Sequence, residues 1–494
     1  MSTIPFHVIP AGLRLPGAFF ELDNSQANTA QANQRALIIA QITDEGIAVP
    51  NVPLICGGIG DAVRQGGPNS MLASMVMTYN QNDNFGEVWM LPLADAGGGT
   101  AATGSIAFTT PPSANGTLAL YIGGIVVNVP LTGDMTTAAV ANAVAAAVNV
   151  IPTMPVVATP TTNTVGFAAV HKGLCGNEID IRVNFYGTAG GEATPAGLTF
   201  TITPMASGTT NPTLTTALGN LGNMPFDFIV TPYTDTASLL AIQTFLNDQT
   251  GRWSWNSQLY GHAFGAYAGT FASQTTLGLS RNNQHETILG FNGSPTPSWL
   301  WASALAAQAA VSIRADPGVP LQYLPLRGVL PPPLASQFLD SQRETLLYDG
   351  ISTFTVQQDG TVQTENIITT YQVNTQSVPD DSYLEIETMF QLMLEIRTLQ
   401  AMLTSKYARC KLASNGSKPA AGSGLVTPNL IRADVIALYQ ERQDLGFVQN
   451  ADQFAASLVV NKNTVNPNRV DILWPGTPVN QMRTFATLVQ FRLQ

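Results

Sequence analysis

Few residues in this chain could carry chemistry. Its four histidines, His7, His171, His262 and His285, are scattered, and none stands at ligand spacing from another histidine or a cysteine, so no metal centre is expected. Cys56, Cys175 and Cys410 are odd in number and far apart, which argues against a disulfide framework and favours a reducing compartment. The turn Cys56-Gly-Gly-Ile-Gly-Asp61 has the glycines of a phosphate-cradling loop without their full spacing, and reads as a structural turn. In Gly350-Ile-Ser-Thr353, Ser352 could be a nucleophile, with His262 or His285 as base and an aspartate behind it. The Gly-x-Ser-x-Gly elbow is missing, however, and Ser352 opens a hairpin strand. Asp380-Asp381 is the carboxylate pair that stands out, and its place before a helix suits compensation of a helix dipole. No catalytic, cofactor-binding or metal residue is expected, and a serine hydrolase on an α/β fold is the least favoured function weighed.

The elements that would position such groups alternate strand with helix. Arg35 to Gln41 is a short apolar strand, Pro68 to Tyr79 a helix with proline in its first turn, and Glu87 to Leu93 a second strand. The rhythm then breaks. Between Arg64 and Lys172 there is no Lys or Arg. Residues 96–220 are rich in Thr, Ala, Gly and Pro, with strands over Ser105 to Thr109, Thr117 to Val129, Ile179 to Tyr186 and Leu198 to Thr203, and an Ala-rich helix over Thr136 to Asn149. The stretch reads as a β-rich insertion projecting from the α/β body. The body resumes with a buried strand over Pro225 to Thr231, a helix capped by Asp235, strands over Gln258 to Gly265 and Glu286 to Phe291, and a helix over Ser298 to Ala315. A proline-rich connection, Pro317 to Pro333, leads to a hairpin over Ile351 to Tyr371 that turns at Asp359-Gly360. Ser382 and Glu385 propose a capping box for a helix to about Lys406, and Thr427-Pro428 opens another that Gly446 ends. Strands over Phe454 to Val460 and Arg469 to Trp474 follow.

Only 11% of the 494 residues are Asp, Glu, Lys or Arg, against about 25% in ordinary soluble proteins. A subunit that hides much of its surface against copies of itself needs less charge than a monomer of this size. The net charge of −11 argues against nucleic acid as a partner, which calls for clustered Lys and Arg. The first twenty residues lack a secretory pattern, and no run approaches the roughly 20 apolar residues of a membrane span. A soluble protein made in the cytoplasm, without membrane insertion, is expected. Residues 349–494 carry only −2 of the net charge. Lys406, Arg409 and Lys411, with Arg397 and Lys418 nearby, propose a weakly positive patch facing an acidic partner.

Both ends of the sequence read as arms. In Thr484-Phe-Ala-Thr-Leu-Val-Gln-Phe-Arg-Leu-Gln494, Phe485, Val489, Phe491 and Leu493 share one face of a period-2 pattern, that of a half-buried strand. Ladder bonds for such a strand can come from another chain. Residues 1–34 contain no long helical pattern, and Pro10 and Pro16 hold their backbone extended.

Ile9-Pro, Arg14-Leu-Pro16 and Phe20-Glu-Leu-Asp-Asn-Ser25 resemble the N-terminal arm of contractile phage tail sheath proteins of the Mu type. Asp349-Gly-Ile-Ser-Thr-Phe-Thr, Asp359-Gly-Thr-Val, Ile368-Thr-Thr-Tyr-Gln372 and Ser382-Tyr-Leu resemble that family's C-terminal domain, and Arg469-Val-Asp-Ile-Leu-Trp-Pro-Gly476 its closing segment. The likeness covers both ends and the α/β body, and covers residues 96–220 poorly, where such proteins carry variable insertions. It implies a multidomain, mixed α/β (α+β) chain: arm 1–34, core 35–95 and 221–348, inserted outer domain 96–220, C-terminal sheath domain 349–483 and arm strand 484–494. The family's core is sometimes compared with subtilisin-like folds, and fold does not confer activity. The resemblance further implies a non-enzymatic subunit without cofactors, forming a helical stack of rings around an inner tube, which contracts to drive the tube through the host envelope. Its partners would be its own copies, the tail tube protein, and baseplate and tail terminator proteins. Its arms would pair with strands of neighbours, and Lys406, Arg409 and Lys411 would face the tube. The sheath of a phage-derived bacteriocin or secretion system is the alternative setting, and the virion tail, assembled in the host cytoplasm, is the expected location.

Overall fold

The structure, a computed structural model, describes residues 34–417 and 424–493. The N-terminal arm, with His7, and Lys418 lie outside the described residues. Strand β1 (Ala36–Gln41) is buried at every position, the continuous apolar run of a central parallel strand. The edge strand β2 (Leu54–Ile55) and the short helix α1 (Ile59–Gly66) follow. Helix α2 (Met71–Asn82) starts later than its proline suggested, because Asn69 turns at φ 60 and the Ser70 side chain accepts the Ala73 N–H. Strand β3 (Val88–Leu93) closes this half of the body.

The stretch expected to be an insertion holds β4 (Ala101–Thr110), β5 (Gly116–Ile122), β6 (Ile125–Leu131), α3 (Thr137–Asn149), β7 (Val156–Thr161), β8 (Thr164–Lys172), β9 (Ile181–Val183) and β10 (Thr199–Ala206). Its strands form two antiparallel sheets, ordered β10-β4-β8-β7 and β6-β5-β9. The buried side of α3, Val140, Ala141, Val144, Ala145 and Val148, packs against β4, β6, β7 and β8. The single strand expected over Thr117 to Val129 is a hairpin. Gly123 and Gly124, at φ 57 and 82, supply the two positive φ angles of the tight turn whose twist matches its strands.

After α4 (Thr215–Gly219) come β11 (Phe228–Val230), α5 (Thr236–Leu246), β12 (His262–Ala268), α6 (Phe271–Leu279), β13 (Glu286–Phe291), α7 (Ser298–Ala315) and α8 (Asp340–Tyr348). The main sheet runs β13-β12-β11-β1-β3-β2, parallel except for β2. Asp235 caps α5 by accepting the Ser238 N–H at 3.0 Å. Strand β12 begins four residues later than expected, since Gln258, Tyr260 and Gly261 all stand at positive φ, outside the strand region.

Body and insertion meet at a polar joint where β1 ends. The Gln41 side-chain amide donates to Asp95 Oδ1 and to Lys172 O, both at 2.7 Å. His171 Nε2 accepts the Met71 N–H at 2.9 Å, so its other nitrogen, 3.1 Å from Asp95 Oδ1, carries the proton. Burial pulls the Asp95 carboxyl upward, but the bonds from His171 and the Lys172 N–H outweigh it and hold the group below its ordinary range. Gln41, Asp95 and His171 thus satisfy one another and the Met71 and Lys172 backbone at the joint.

The remaining elements are β14 (Thr353–Val356), β15 (Val362–Asn366), α9 (Ile386–Tyr407), β16 (Lys411–Leu412), β17 (Leu425–Val426), α10 (Pro428–Asp444), β18 (Val448–Gln449), α11 (Ala451–Ser457), β19 (Val459–Lys462), β20 (Val470–Leu473) and β21 (Thr477–Pro478). The expected Ser382 capping box is absent. Asp380 instead draws the Ser382 N–H and hydroxyl into a turn at 3.0 and 2.9 Å, and Glu385 stands at the cap of α9. Asp380 also accepts the Tyr371 hydroxyl at 2.7 Å, so it shapes a turn and does not serve a helix dipole. Phe390 of α9 stacks on Phe228 at 5.1 Å, docking the helix on the main sheet. The far half of α9 packs on a second apolar cluster, where Tyr439 stacks on Phe454 at 3.7 Å and Trp474 meets both edge-on. The strand expected over Phe454 to Val460 is helix α11 as far as Ser457, entered through Asn450 at φ 64, and becomes strand β19 only from Val459.

Candidate assembly surface

The residues singled out for chemistry are spent on internal bonds. The Ser352 hydroxyl is fully buried, donates to Ile368 O at 3.1 Å and accepts the Ile368 N–H at 2.9 Å. Neither candidate base bonds it. His262 sits 2.9 Å from the Thr287 hydroxyl, and burial holds its imidazole well below the usual range, hence neutral. His285 stands 2.9 Å from Asp248 Oδ1 and stacks on Trp253. In the glycine turn before α1, the Asp61 carboxylate accepts the Gly57 N–H at 3.0 Å and binds Arg64 at 2.6 Å. Those two bonds hold it below its ordinary range, the Arg64 bond contributing most. A phosphate-binding loop would leave that place to a ligand. Cys56, Cys175 and Cys410 are free, and no cluster of three metal-ligating side chains occurs among the described residues.

What the chain leaves unused lies near its C-terminus. Residues 479–493 run without regular structure, and positions 484–493 are exposed on both faces. Phe485, Leu488, Val489, Phe491 and Leu493 are each more than three-quarters exposed. The half-buried strand expected here therefore does not form among the described residues: the alternation is present in the side chains, but no second described strand completes its ladder. Upstream the segment is stitched down. Val479 N–H donates to Phe447 O at 3.2 Å, and the side chain of Gln391 donates to Val479 O at 3.0 Å. Arg483, 12% exposed, binds Glu387 at 2.7 Å and also Glu385. Burial pushes the Glu387 carboxyl up to about 6, with Arg483 and the Leu321 N–H acting against it. Arg483 is thus the last fixed point before a free apolar tail. Nothing in the sequence marked it, because its partners lie almost a hundred residues away.

Among the described residues, strands β19 and β20 pair only with each other, with Val459 and Leu473 exposed at 43% and 63%. A two-stranded ribbon with open edges on both sides invites a further strand. Of the basic residues, Arg397 is spent on Asp227, 2.6 Å away, and Lys406 pairs with Asp434 at 3.2 Å while remaining half exposed. Arg409 and Lys411 are exposed and make no ion pair among the described residues.

An exposed apolar tail fixed at its root, a two-stranded ribbon that pairs with no further strand among the described residues, and candidate catalytic groups committed internally are together the anatomy of an assembly subunit. The family model described as phage tail sheath protein central domain matches residues 207–370, and that described as phage tail sheath C-terminal domain matches residues 378–492. The chain is 36% identical over 493 residues to the Mu-like prophage FluMu tail sheath protein of Haemophilus influenzae, covering 99% of this chain and 100% of that one. This chain belongs to the phage tail sheath family, and is a structural component of a tail, not an enzyme. Among solved structures, a sheath tail protein from Desulfitobacterium hafniense matches at a TM-score of 0.48 and 14% identity, over 94% of this chain and 97% of that one. The anti-feeding prophage helical sheath in its contracted state matches at 0.46 and 12%, over 98% and 99%.

Proposed function

We propose that copies of this chain polymerise around an inner tail tube and that each lends its C-terminal segment, through Phe485, Val489, Phe491 and Leu493, as a strand to a neighbour. The carrying observation is that residues 484–493 are apolar in alternation, exposed on both faces and anchored immediately upstream by Arg483. Borrowed ladder bonds would bury one face of that tail, which its own chain leaves in water. The open ribbon β19–β20 is a suitable receiver. Such a tether tolerates rotation of the globular bodies, so rings stay linked as the sheath shortens and drives the tube through the host envelope. Lys406, Arg409 and Lys411 face the tube in this reading. Baseplate and tail terminator proteins close the two ends, assembly takes place in the host cytoplasm, and the boundaries 96–220 and 349–483 delimit the outer insertion and the C-terminal sheath domain. Deleting Phe485 to Gln494 tests the tether: soluble monomers without tubes by electron microscopy are expected, and normal tubes would refute it.

A further inference from the structure

The roots of both arms are fastened, directly or through one residue, to the same helix. Gln34 is the last residue of the arm expected over residues 1–34, and it and Arg35 are bonded to three segments of the body. The Arg314 side chain of α7 donates to Gln34 O at 3.1 Å, Glu87 binds the Arg35 guanidinium at 2.7 Å, and the N–H groups of Asp227 and Phe228 donate to Arg35 O at 2.9 and 3.1 Å. Asp227, just before β11, is 1% exposed, and the cation that meets its carboxylate is Arg397 of α9, 2.6 Å away. The other root is held by the start of α9. Glu387 binds Arg483 at 2.7 Å, while the Gln391 side chain donates to Val479 O at 3.0 Å and accepts the Gln481 amide at 3.2 Å.

Glu387 and Gln391 are four residues apart and share one stripe of α9, whereas Phe390 and Arg397 are seven apart and share another. The first stripe faces the C-terminal segment and the second faces the start of β11, where Phe390 stacks on Phe228. From Glu387 to Arg397 the helix rises about 15 Å, with its backbone bonds internal to it, so it moves as one body. Each stripe carries an ion pair with a buried carboxylate, and parting either pair leaves a charge without compensation. A shift of α9 that frees one root therefore strains the bonds at the other.

We infer that α9 couples the two arm roots of one copy, so that a load on the C-terminal tail passes to the N-terminal root through the pairs Arg483–Glu387 and Arg397–Asp227. The inference rests on the reading that the ends of the chain tether neighbours. To it the helix adds the path by which two tethers of one copy act in series, without passing through the 96–220 stretch. A ring pulled by its tails then transmits the pull to the next ring through a stiff element and not through loops.

The test is hydrogen–deuterium exchange of the dilute full-length chain, read over peptides 34–41 and 477–483. Two amides report on the roots: Ala36 N–H donates to Glu87 O at 3.0 Å, and Val479 N–H to Phe447 O at 3.2 Å. Arg483→Met should speed exchange over 34–41, and Arg397→Met should speed it over 477–483, each by about fivefold or more, since a coupling between two sites acts in both directions. The double variant Asp227→Asn with Arg397→Met removes that pair without stranding a charge, and should give the same rise at 477–483 where Arg397→Met alone does not fold. Exchange that rises only at the root nearest the substitution overturns the coupling, as does an equal rise over β4, the mark of general loosening. The coupling is read on the monomer and the tether from tubes, so either can fail while the other stands.

Discussion

Replacing Arg483 by Met should loosen the root of the C-terminal tail by an amount that depends on pH in a stated direction. Arg483 is the cation shared by Glu385 and Glu387, of which Glu387 is wholly buried. Removing one partner of a buried ion pair costs about 3–5 kcal/mol, because the charge left behind has no compensation. The native protein already shows strain at Glu387. Its carboxyl is raised from an ordinary 4.5 to about 6, mainly by burial, even with Arg483 in place. A raised folded-state value means that the folded chain binds the proton more tightly than the unfolded one. The associated stability is full below 4.5 and is lost as pH rises through 6, a difference of about 2 kcal/mol.

Without Arg483 the carboxyl should rise further, so acid should rescue the variant. Chemical denaturation of the monomer at pH 8 and at pH 5 measures this directly, with limited proteolysis near residues 479–483 reporting on the root. A loss of about 3–5 kcal/mol at pH 8 that shrinks clearly at pH 5 is expected. Glu387→Gln, a mimic of the protonated group, should recover part of the loss at pH 8 in the double variant. A defect below about 1 kcal/mol at pH 8, the scale of an exposed pair, or one equal at both pH values, would refute the reasoning.

His171→Phe should cost about 1–3 kcal/mol, since it strands the Met71 N–H and removes a partner of Asp95. The loss should show as faster proteolysis at the joint between insertion and body, and unchanged cleavage there would argue against the joint. Reversing Lys406, Arg409 and Lys411 to Glu should weaken assembly on the tube and leave self-polymerisation intact in a co-sedimentation assay. Because these contacts are exposed, native tube binding should also fall with added salt. Tube binding that ignores both perturbations would remove the charge argument.

Elements whose ends are set by local chemistry were legible in the sequence. Strand β13 and helix α7 have the ends their residues suggest, Asp235 caps α5, and Thr427 with Pro428 opens α10. Where a distant group competes with a local signal, the reading fails. Ser382 looks like a cap until Asp380 and Tyr371 claim that turn. Helix α1 was missed because it starts inside the glycine turn, behind Gly58 and with no side-chain cap to mark its beginning. Alternation at Phe485 to Leu493 was visible, yet a ladder is a property of two strands, and the described residues supply only one of them. The candidate site was legible as tail and basic residues. Its anchor, Arg483, and the removal of Arg397 by Asp227 depend on contacts across the fold that no spacing reveals.

The scarcity of charge and the placing of what charge there is have one explanation. Arg281 with Glu286, Arg442 with Glu395, Arg314 with Asp83 and Arg397 with Asp227 all lie largely buried. Three of the four join segments far apart in sequence. Arg252 and Arg432 donate to backbone carbonyls of other segments in the same way. A buried pair adds little net stability over an apolar one, but it penalises every arrangement that separates its members. Part of the little charge in this chain therefore works as internal register, leaving an outer surface poorer in ions that two copies can bring together without stripping water from many charges. On such a surface, cations that no internal joint uses stand out. Arg409 and Lys411 are such cations, and their position beside the second apolar cluster, outside the main sheet, is why an acidic partner distinct from the copies is the reading they support.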